Sequence, residues 1–300
     1  MLNKNSKIFV AGHNGMVGSS ILNKLKKYGY KNLLIRNKVQ LDLRNQKQVS
    51  KFFLKTKPDY VIIAAAKVGG IYANSKYPTE FIYDNLQIQN NIIHAAYENR
   101  VKSLIFLGSS CIYPKFSKQP IKEKYLLTSV LEKTNEAYAL AKIVGLKLCE
   151  YYNSQKNKSY ITLMPCNLYG PYDNFDPKKS HFIPALIRKI IYSKLNNFSE
   201  IEIWGTGKAK REIMHVDDLA SAIYFIVKKK VLKDKKLLKI IKNSSLINVG
   251  SGYELSIKKF AKIIIKIEKV KLNLIYNKNY PDGMLRKVLD NKIIKSLGWK

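Results

Sequence analysis

Within the first 28 residues an apolar run, Ile8-Phe9-Val10-Ala11, meets a glycine-rich turn, Gly12-His13-Asn14-Gly15-Met16-Val17-Gly18, and then a helical pattern over 16–28. Few local features restrict a fold so strongly. Glycines at these positions permit a tight turn, a close backbone approach to a pyrophosphate, and close packing of helix on strand. The free N–H groups of the helix's first turn then face the phosphates. Such a unit needs a parallel sheet to complete it. Apolar runs at 7–11, 32–36, 60–64, 103–107 and 160–165 alternate with helical stretches near 45–55, 79–99 and 134–153. The expected fold class is therefore α/β, a Rossmann-type doubly wound parallel sheet with helices on both faces. After Pro165 the alternation loosens at Gly170-Pro171 and Gly205-Thr206-Gly207, although a strand near 246–249 and a helix near 256–268 fit a return to the sheet. That predicts a nucleotide-binding domain over 1–170 with 212–252 returning to it. A smaller, discontinuous substrate-binding domain would use 171–211 and 253–300.

The end of the second strand narrows the choice of cofactor. An NAD site carries an acid there that holds the ribose 2′-hydroxyl. This chain reads Leu34-Ile35-Arg36-Asn37-Lys38, with no carboxylate and two cations where a 2′-phosphate would lie. NADP(H) is the expected cofactor.

A formal charge of +33 invites a nucleic-acid reading, because lysines release counterions from phosphate backbones. Its distribution opposes that reading. The cations are 48 Lys and only 6 Arg, spread along the chain and densest at Lys228-Lys229-Lys230 and from Lys233 to Lys239, with no nucleic-acid motif beside them. No nucleic-acid partner is expected; the charge is a general attractor of anionic ligands. No apolar stretch reaches the roughly 18 residues of a membrane span. The start runs directly into the first strand, leaving no room for a signal peptide, and Cys111, Cys149 and Cys166 form no disulfide or zinc pattern. A cytoplasmic setting is expected.

Tyr138-Ala139-Leu140-Ala141-Lys142 places a phenol and an ammonium on one helix face. An adjacent ammonium favours phenolate, so such a tyrosine is expected to exchange protons near neutral pH. The spacing alone means little. Tyr72/Lys76, Tyr152/Lys156 and Tyr224/Lys228 share it, and 20 Tyr among 48 Lys predict about three such pairs by chance. Context selects Tyr138: it follows the strand-end hydroxyls of Gly108-Ser109-Ser110, and Thr134-Asn135-Glu136 reads as a helix cap. The other three pairs read as surface or packing pairs, and His13, His94 and His215 as structural or phosphate-adjacent.

Eight segments, in order, carry a resemblance. They are Gly12 to Gly18, AAAKVGGIYAN (64–74), GSSCIYPK (108–115), NEAYALAK (135–142), MPCNLYGPYDNF (164–175), SHFIPALIRK (180–189), REIMHVDDLA (211–220) and PDGMLRK (281–287). On these the chain resembles the extended short-chain dehydrogenase/reductases and, within them, the GDP-L-fucose synthase family. The resemblance implies epimerisation of GDP-4-keto-6-deoxy-D-mannose at carbons 3 and 5, then reduction of the 4-ketone with NADPH. Ser109 and Tyr138 would hold the ketone oxygen while charge develops on it. Cys111 would be the base and His181 the acid on the opposite face, with Tyr138 protonating the reduced oxygen and Lys142 holding the nicotinamide ribose.

The resemblance extends the cofactor site from Gly12, Asn14, Gly15, Met16, Val17, Gly18, Arg36 and Lys38 to further positions. These are Asp42, Leu43, Ala65, Leu107, Gly108, Ser109, Tyr138, Lys142, Pro165, Asn167, Leu168 and His181. It implies Lys189, Trp204, Arg211 and Lys287 as ligands of the sugar nucleotide, and a homodimer through the helices near 79–99 and 134–153. Cys149 and Cys166 remain packing thiols. Asn14 and Lys189 stand where the family has arginine, and the chain stops at Gly298-Trp299-Lys300 where the family continues with a helix. The alternatives are other nucleotide-sugar enzymes of the fold. A 4,6-dehydratase would want an Asp-Glu pair where Cys111-Ile112 stands, and a 4-epimerase would not need the thiol and imidazole.

Overall fold

A computed structural model describes residues 3–177, 179–231, 234–280 and 282–300; Lys233 of the lysine-dense run and Pro281 of the 281–287 motif lie outside them. In chain order the strands are β1 (Ile8–Ala11), β2 (Leu33–Leu34), β3 (Tyr60–Ile63), β4 (Ser103–Leu107), β5 (Ile161–Pro165), β6 (Asn167–Tyr169), β7 (Glu200–Trp204), β8 (Lys210–His215), β9 (Leu246–Val249), β10 (Glu254–Ser256), β11 (Asn273–Asn277) and β12 (Arg286–Lys287). The helices are α1 (Met16–Lys27), α2 (Gln46–Thr56), α3 (Ile71–Lys76), α4 (Pro78–Glu98), α5 (Glu136–Lys156), α6 (Phe182–Leu195), α7 (Val216–Val231), α8 (Lys235–Asn243), α9 (Ile257–Ile267) and α10 (Lys292–Ser296).

Six strands form one parallel sheet in the order β2-β1-β3-β4-β5-β9. Every residue of β1, β3, β4, β5 and β9 is buried, as a sheet covered on both faces requires. Alternation sends Ile8 and Val10 toward Ile21 and Leu25 of α1 and Ile223 of α7, and Phe9 toward Val49 and Phe53 of α2 and Ile92 of α4. The chain leaves β1 in one direction for β2 and crosses back for β3, so the strand order reverses between β1 and β3. A crevice for a nucleotide opens at their carboxyl ends.

The differences from the expected elements have local causes. Only Leu33 and Leu34 of the 32–36 run pair with β1, because this edge strand is half-exposed. The stretch before α4 contains the separate short helix α3, between Gly70 and Tyr77. Asn45 caps α2 by accepting the Gln48 N–H at 3.0 Å, and Ser256 caps α9 by accepting the Lys259 N–H at 3.2 Å.

Past β5 the chain builds two smaller β assemblies. β8 pairs with β10 antiparallel and with β6 and β12 in parallel, while β7 pairs with β11. A separate apolar cluster joins Ile183, Leu186 and Ile190 of α6 to Ile201 and Ile203 of β7 and to Phe260 of α9. Leu289, Ile294 and Leu297 pack back into the core of the large sheet. The stretch 284–290 is therefore a strap between β8 and that core. Among the described residues no helix is long and apolar enough to cross a membrane.

Candidate active site

At the end of β1, Gly12 turns with φ +87°, and a Cβ there would lie 2.6 Å from the Ala65 nitrogen. A Cβ on Gly18 would lie 2.0 Å from the Gly12 carbonyl oxygen, so the first turn of α1 packs against the loop only as glycine. Gly15, at the N-cap of α1, has no such restriction and no side chain caps the helix. The N–H groups ahead of Met16 and Val17 are thus left facing a cradle open beside the exposed Asn14. Arg36 and Lys38 are exposed, and among the described residues neither is ion-paired with a carboxylate. The Arg36 guanidinium donates to the Ile35 carbonyl at 2.7 Å and lies 5.7 Å from the centre of the Phe52 ring. Asp42 is committed elsewhere: Arg44 donates to both its oxygens at 3.0 and 2.8 Å, which holds the carboxyl down at about 2. The Leu43 carbonyl accepts the Asn91 amide at 3.0 Å. A loop that packs this tightly only as glycine, an uncapped helix N-terminus and two exposed cations outside any ion pair among the described residues fit a dinucleotide with a 2′-phosphate.

Four expected catalytic residues come together at the end of β4. Gly108 is pressed against Met164, whose sulfur would lie 2.2 Å from an added Cβ. A 3-10 turn over Ser110–Ile112 follows, with the Ser109 hydroxyl accepting the Cys111 N–H at 3.3 Å and hydrogen-bonding the Tyr138 phenol. One turn along α5, Lys142 is 3 % exposed and donates to the Leu107 carbonyl at 2.9 Å, with its ammonium 4.7 Å from the centre of the Phe106 ring. Burial brings that ammonium down to about 7.

Tyr138 departs from expectation. Burial pushes its phenol up, Cys111 adds to the rise, and only the Ser109 hydrogen bond opposes it. The expected pull of Lys142 toward phenolate is not among the causes acting on the phenol: its nitrogen lies 5.8 Å from the ring centre, and burial favours its own neutral form. The phenol is therefore held as a proton donor.

Cys111 is half-buried, and the Lys287 ammonium lies 3.6 Å from its sulfur. His181 is the N-cap of α6, in a recess that remains open to solvent. The surrounding protein lowers its imidazole below the ordinary range; Asp173 opposes that and Lys287 reinforces it. One carboxylate oxygen of Asp173 accepts its neighbour's N–H at 2.7 Å, and the other, buried, has no hydrogen-bond partner among the described residues. Arg211 donates to the carbonyls of Met284 at 2.6 Å and Asp282 at 3.0 Å. It thus fastens the turn before β12.

Lys189 and Trp204 stand together, with the ammonium 5.1 Å from the indole ring centre and donating to the Glu202 carbonyl at 2.9 Å. Trp204 stacks on Tyr280, centroids 4.2 Å apart, and donates to the Glu202 carboxylate at 3.1 Å. Pro165 ends β5 opposite Val249, and half-buried Leu168 packs on the main core. Asn167 donates to the Glu212 carbonyl at 3.0 Å. Asp173, Glu202, Glu212 and Tyr280 were not anticipated as neighbours of the site residues, although Asp173 and Glu212 lie within the segments 164–175 and 211–220 that carry the resemblance.

The profile of the NAD dependent epimerase/dehydratase family matches residues 8–240. The chain belongs to this family. Within it the chain is 49 % identical over 299 residues to GDP-L-fucose synthase 1 of Arabidopsis thaliana, covering 100 % of this chain and 89 % of that one. It is 46 % identical over 293 residues to GDP-L-fucose synthase of Escherichia coli (strain K12), covering 98 % and 91 %. Among solved structures, MlghC, a GDP-mannoheptose C4 reductase from Campylobacter jejuni with NADP bound, superposes with a TM-score of 0.88 at 38 % identity, covering 100 % and 94 %. The family's fold is the parallel sheet described above, and its glycine loop lies at the reversal point beside Ala65.

Proposed function

We propose that the chain is an NADP(H)-dependent enzyme converting GDP-4-keto-6-deoxy-D-mannose to GDP-L-fucose, by 3,5-epimerisation and 4-reduction. The observation that carries this reading is the grouping at the end of β4. A hydroxyl–phenol–ammonium set sufficient for a ketone reductase shares its strand end with a thiol that reduction does not need. The relatives named GDP-L-fucose synthase support the substrate class.

Ser109 and Tyr138 hold the 4-keto oxygen and stabilise the enolate formed when a proton leaves carbon 3 or carbon 5. The Cys111 thiolate takes that proton, and His181 returns one to the opposite face, with Asp173 favouring its charged form. The glycine loop with Arg36 and Lys38 would hold NADPH, which would supply the hydride for carbon 4. Tyr138, kept protonated by burial, gives its proton to the oxygen, and Lys142 holds the ribose and restores the phenol. The stretches 1–170 and 212–252 form the cofactor domain, and 171–211 with 253–300 the sugar-nucleotide side, its last residues packing on the large sheet. The enzyme acts in the cytoplasm as a homodimer through α4 and α5, where Tyr83, Leu140 and Val144 expose apolar side chains.

Incubation with the keto-sugar nucleotide in deuterated water tests the reading. Deuterium is expected at carbons 3 and 5 without NADPH, and GDP-L-fucose with it. Cys111→Ser should abolish label exchange and spare NADPH binding, whereas Tyr138→Phe should mainly abolish reduction. NADPH consumption with no label exchange would leave a plain C4 reductase.

A further inference from the structure

Lys287 was expected to bind the sugar nucleotide, but the structure gives its ammonium a different neighbour. We propose that Lys287, held by β12 with its nitrogen 3.6 Å from the Cys111 sulfur, is a positioning residue whose ammonium stabilises negative charge on that sulfur during proton abstraction. This rests on the epimerase reading of the site. Before the proton leaves carbon, the sulfur must carry a lone pair and a negative charge. It then gains the proton as S–H while the C–H electron pair moves into the enolate, and His181 delivers a proton from its own N–H to the opposite face. An ammonium beside the sulfur stabilises the state that begins this step.

The strap makes that contact a built one. Leu285 accepts the Lys210 N–H at 2.8 Å, and Lys287 pairs in register with Arg211 on β8. Val288 donates to Gln119 at 3.0 Å and accepts the Ile121 N–H at 2.8 Å. Arg286 points the other way, donating to both oxygens of Glu254 at 2.9 Å. With its neighbours fixed on both sides, Lys287 projects toward the end of β4. Among the described residues no carboxylate ion-pairs with it. The charged and titratable groups facing the sulfur are Lys287 from β12, Arg211 from β8 and Tyr138 from α5. Arg211 keeps its charge while donating to the carbonyls of 210, 282 and 284 and adds to the positive field at the sulfur, and Tyr138 is neutral; Lys287 is the cation whose contact with the sulfur is direct, at 3.6 Å. His181 and Cys166 also lie within its field; Cys166 is buried and its thiol pushed up.

The test is the pH dependence of iodoacetamide alkylation at Cys111, read by peptide mass spectrometry on the full chain. It is paired with deuterium exchange into the keto-sugar nucleotide without NADPH and with calorimetric binding of GDP. Lys287→Met should slow alkylation at pH 7 by about tenfold, the effect of removing one adjacent charge, and move the profile to higher pH. Exchange should fall at least as far, Lys287→Arg should restore most of both, and GDP affinity should change less than about threefold. If Lys287→Met does not fold, Lys287→Gln takes its place. Unchanged alkylation, or weakened GDP binding with unchanged alkylation, overturns the proposal and returns Lys287 to the diphosphate. No exchange by the unaltered protein overturns the epimerase reading instead, while the alkylation contrast still decides what Lys287 does to the thiol.

Discussion

Lys142 is a cation held almost out of water, and a carbonyl and an aromatic face are weak compensation for lost hydration. Its folded value of about 7 lies below the ordinary 10.5. Between those values the unfolded chain keeps the proton and the folded chain releases it. Stability attributable to this residue therefore rises as pH climbs from about 7 toward 10.5, and the full penalty applies below 7. At neutral pH the penalty is of order a few kcal/mol. Lys142→Met should accordingly raise urea-unfolding stability at pH 6.5, lose the gain that the unaltered protein shows on going to pH 9.5, and abolish reduction. Equal stability of the two proteins at both pH values would mean that the ammonium is better solvated than its 3 % exposure implies. Gly18 presents the steric counterpart. Gly18→Ala forces a methyl against the Gly12 carbonyl, where neither backbone can yield cheaply. It should cost about 1–3 kcal/mol and weaken NADPH binding, read by fluorescence titration.

Among elements, β8 ties the assembly together, and its buried Glu212 is the fastener. The carboxylate accepts the Gly252 N–H at 2.6 Å and the Leu289 N–H at 2.9 Å, joining the turn after β9 to the strap that carries Lys287. Glu212→Ala would leave the buried Leu289 N–H unpaired and release the exposed Gly252 N–H to water, a loss of about 1–3 kcal/mol. Hydrogen exchange should quicken at 250–252 and 286–290 well before β1 or β3 is affected; uniform quickening would show that the strap has no separate stability. The same elements explain what could be read from the chain beforehand. The large sheet was legible because β1, β3, β4 and β5 are continuous apolar runs between helices of matching period. β6, β10 and β12 are only two or three residues long, too short for any pattern, and exist because β8 lies beside them. The site divides in the same way. Ser109, Tyr138 and Lys142 follow from a strand end and a helical spacing, whereas the Lys287–Cys111 contact spans 176 residues and Asp173 sits on an irregular loop. The expectation for the Tyr138 phenol erred because it weighed a charge and left out burial, which only the fold supplies.

At the scale of the whole molecule, charge sets stability and affinity against each other. Even with all 21 carboxylates paired, 33 cations would remain, so the folded surface repels itself and attracts anions at once. Salt screens both effects, since charges more than about 8–10 Å apart cease to interact strongly near physiological ionic strength. Raising sodium chloride from roughly 20 to 500 mM should lift the melting temperature by several degrees and in the same step weaken the binding of NADPH and GDP. The two responses share a cause but not a location. Repulsion is summed over the surface, whereas attraction is concentrated where Arg36 and Lys38 stand exposed, in no ion pair among the described residues. Arg36→Gln with Lys38→Gln should therefore flatten the salt dependence of NADPH binding and leave that of melting almost unchanged. Calorimetric melts and NADPH titrations across the salt series measure both. Parallel loss of the two dependences would place the cofactor's attraction in the diffuse lysine field instead of at the end of β2.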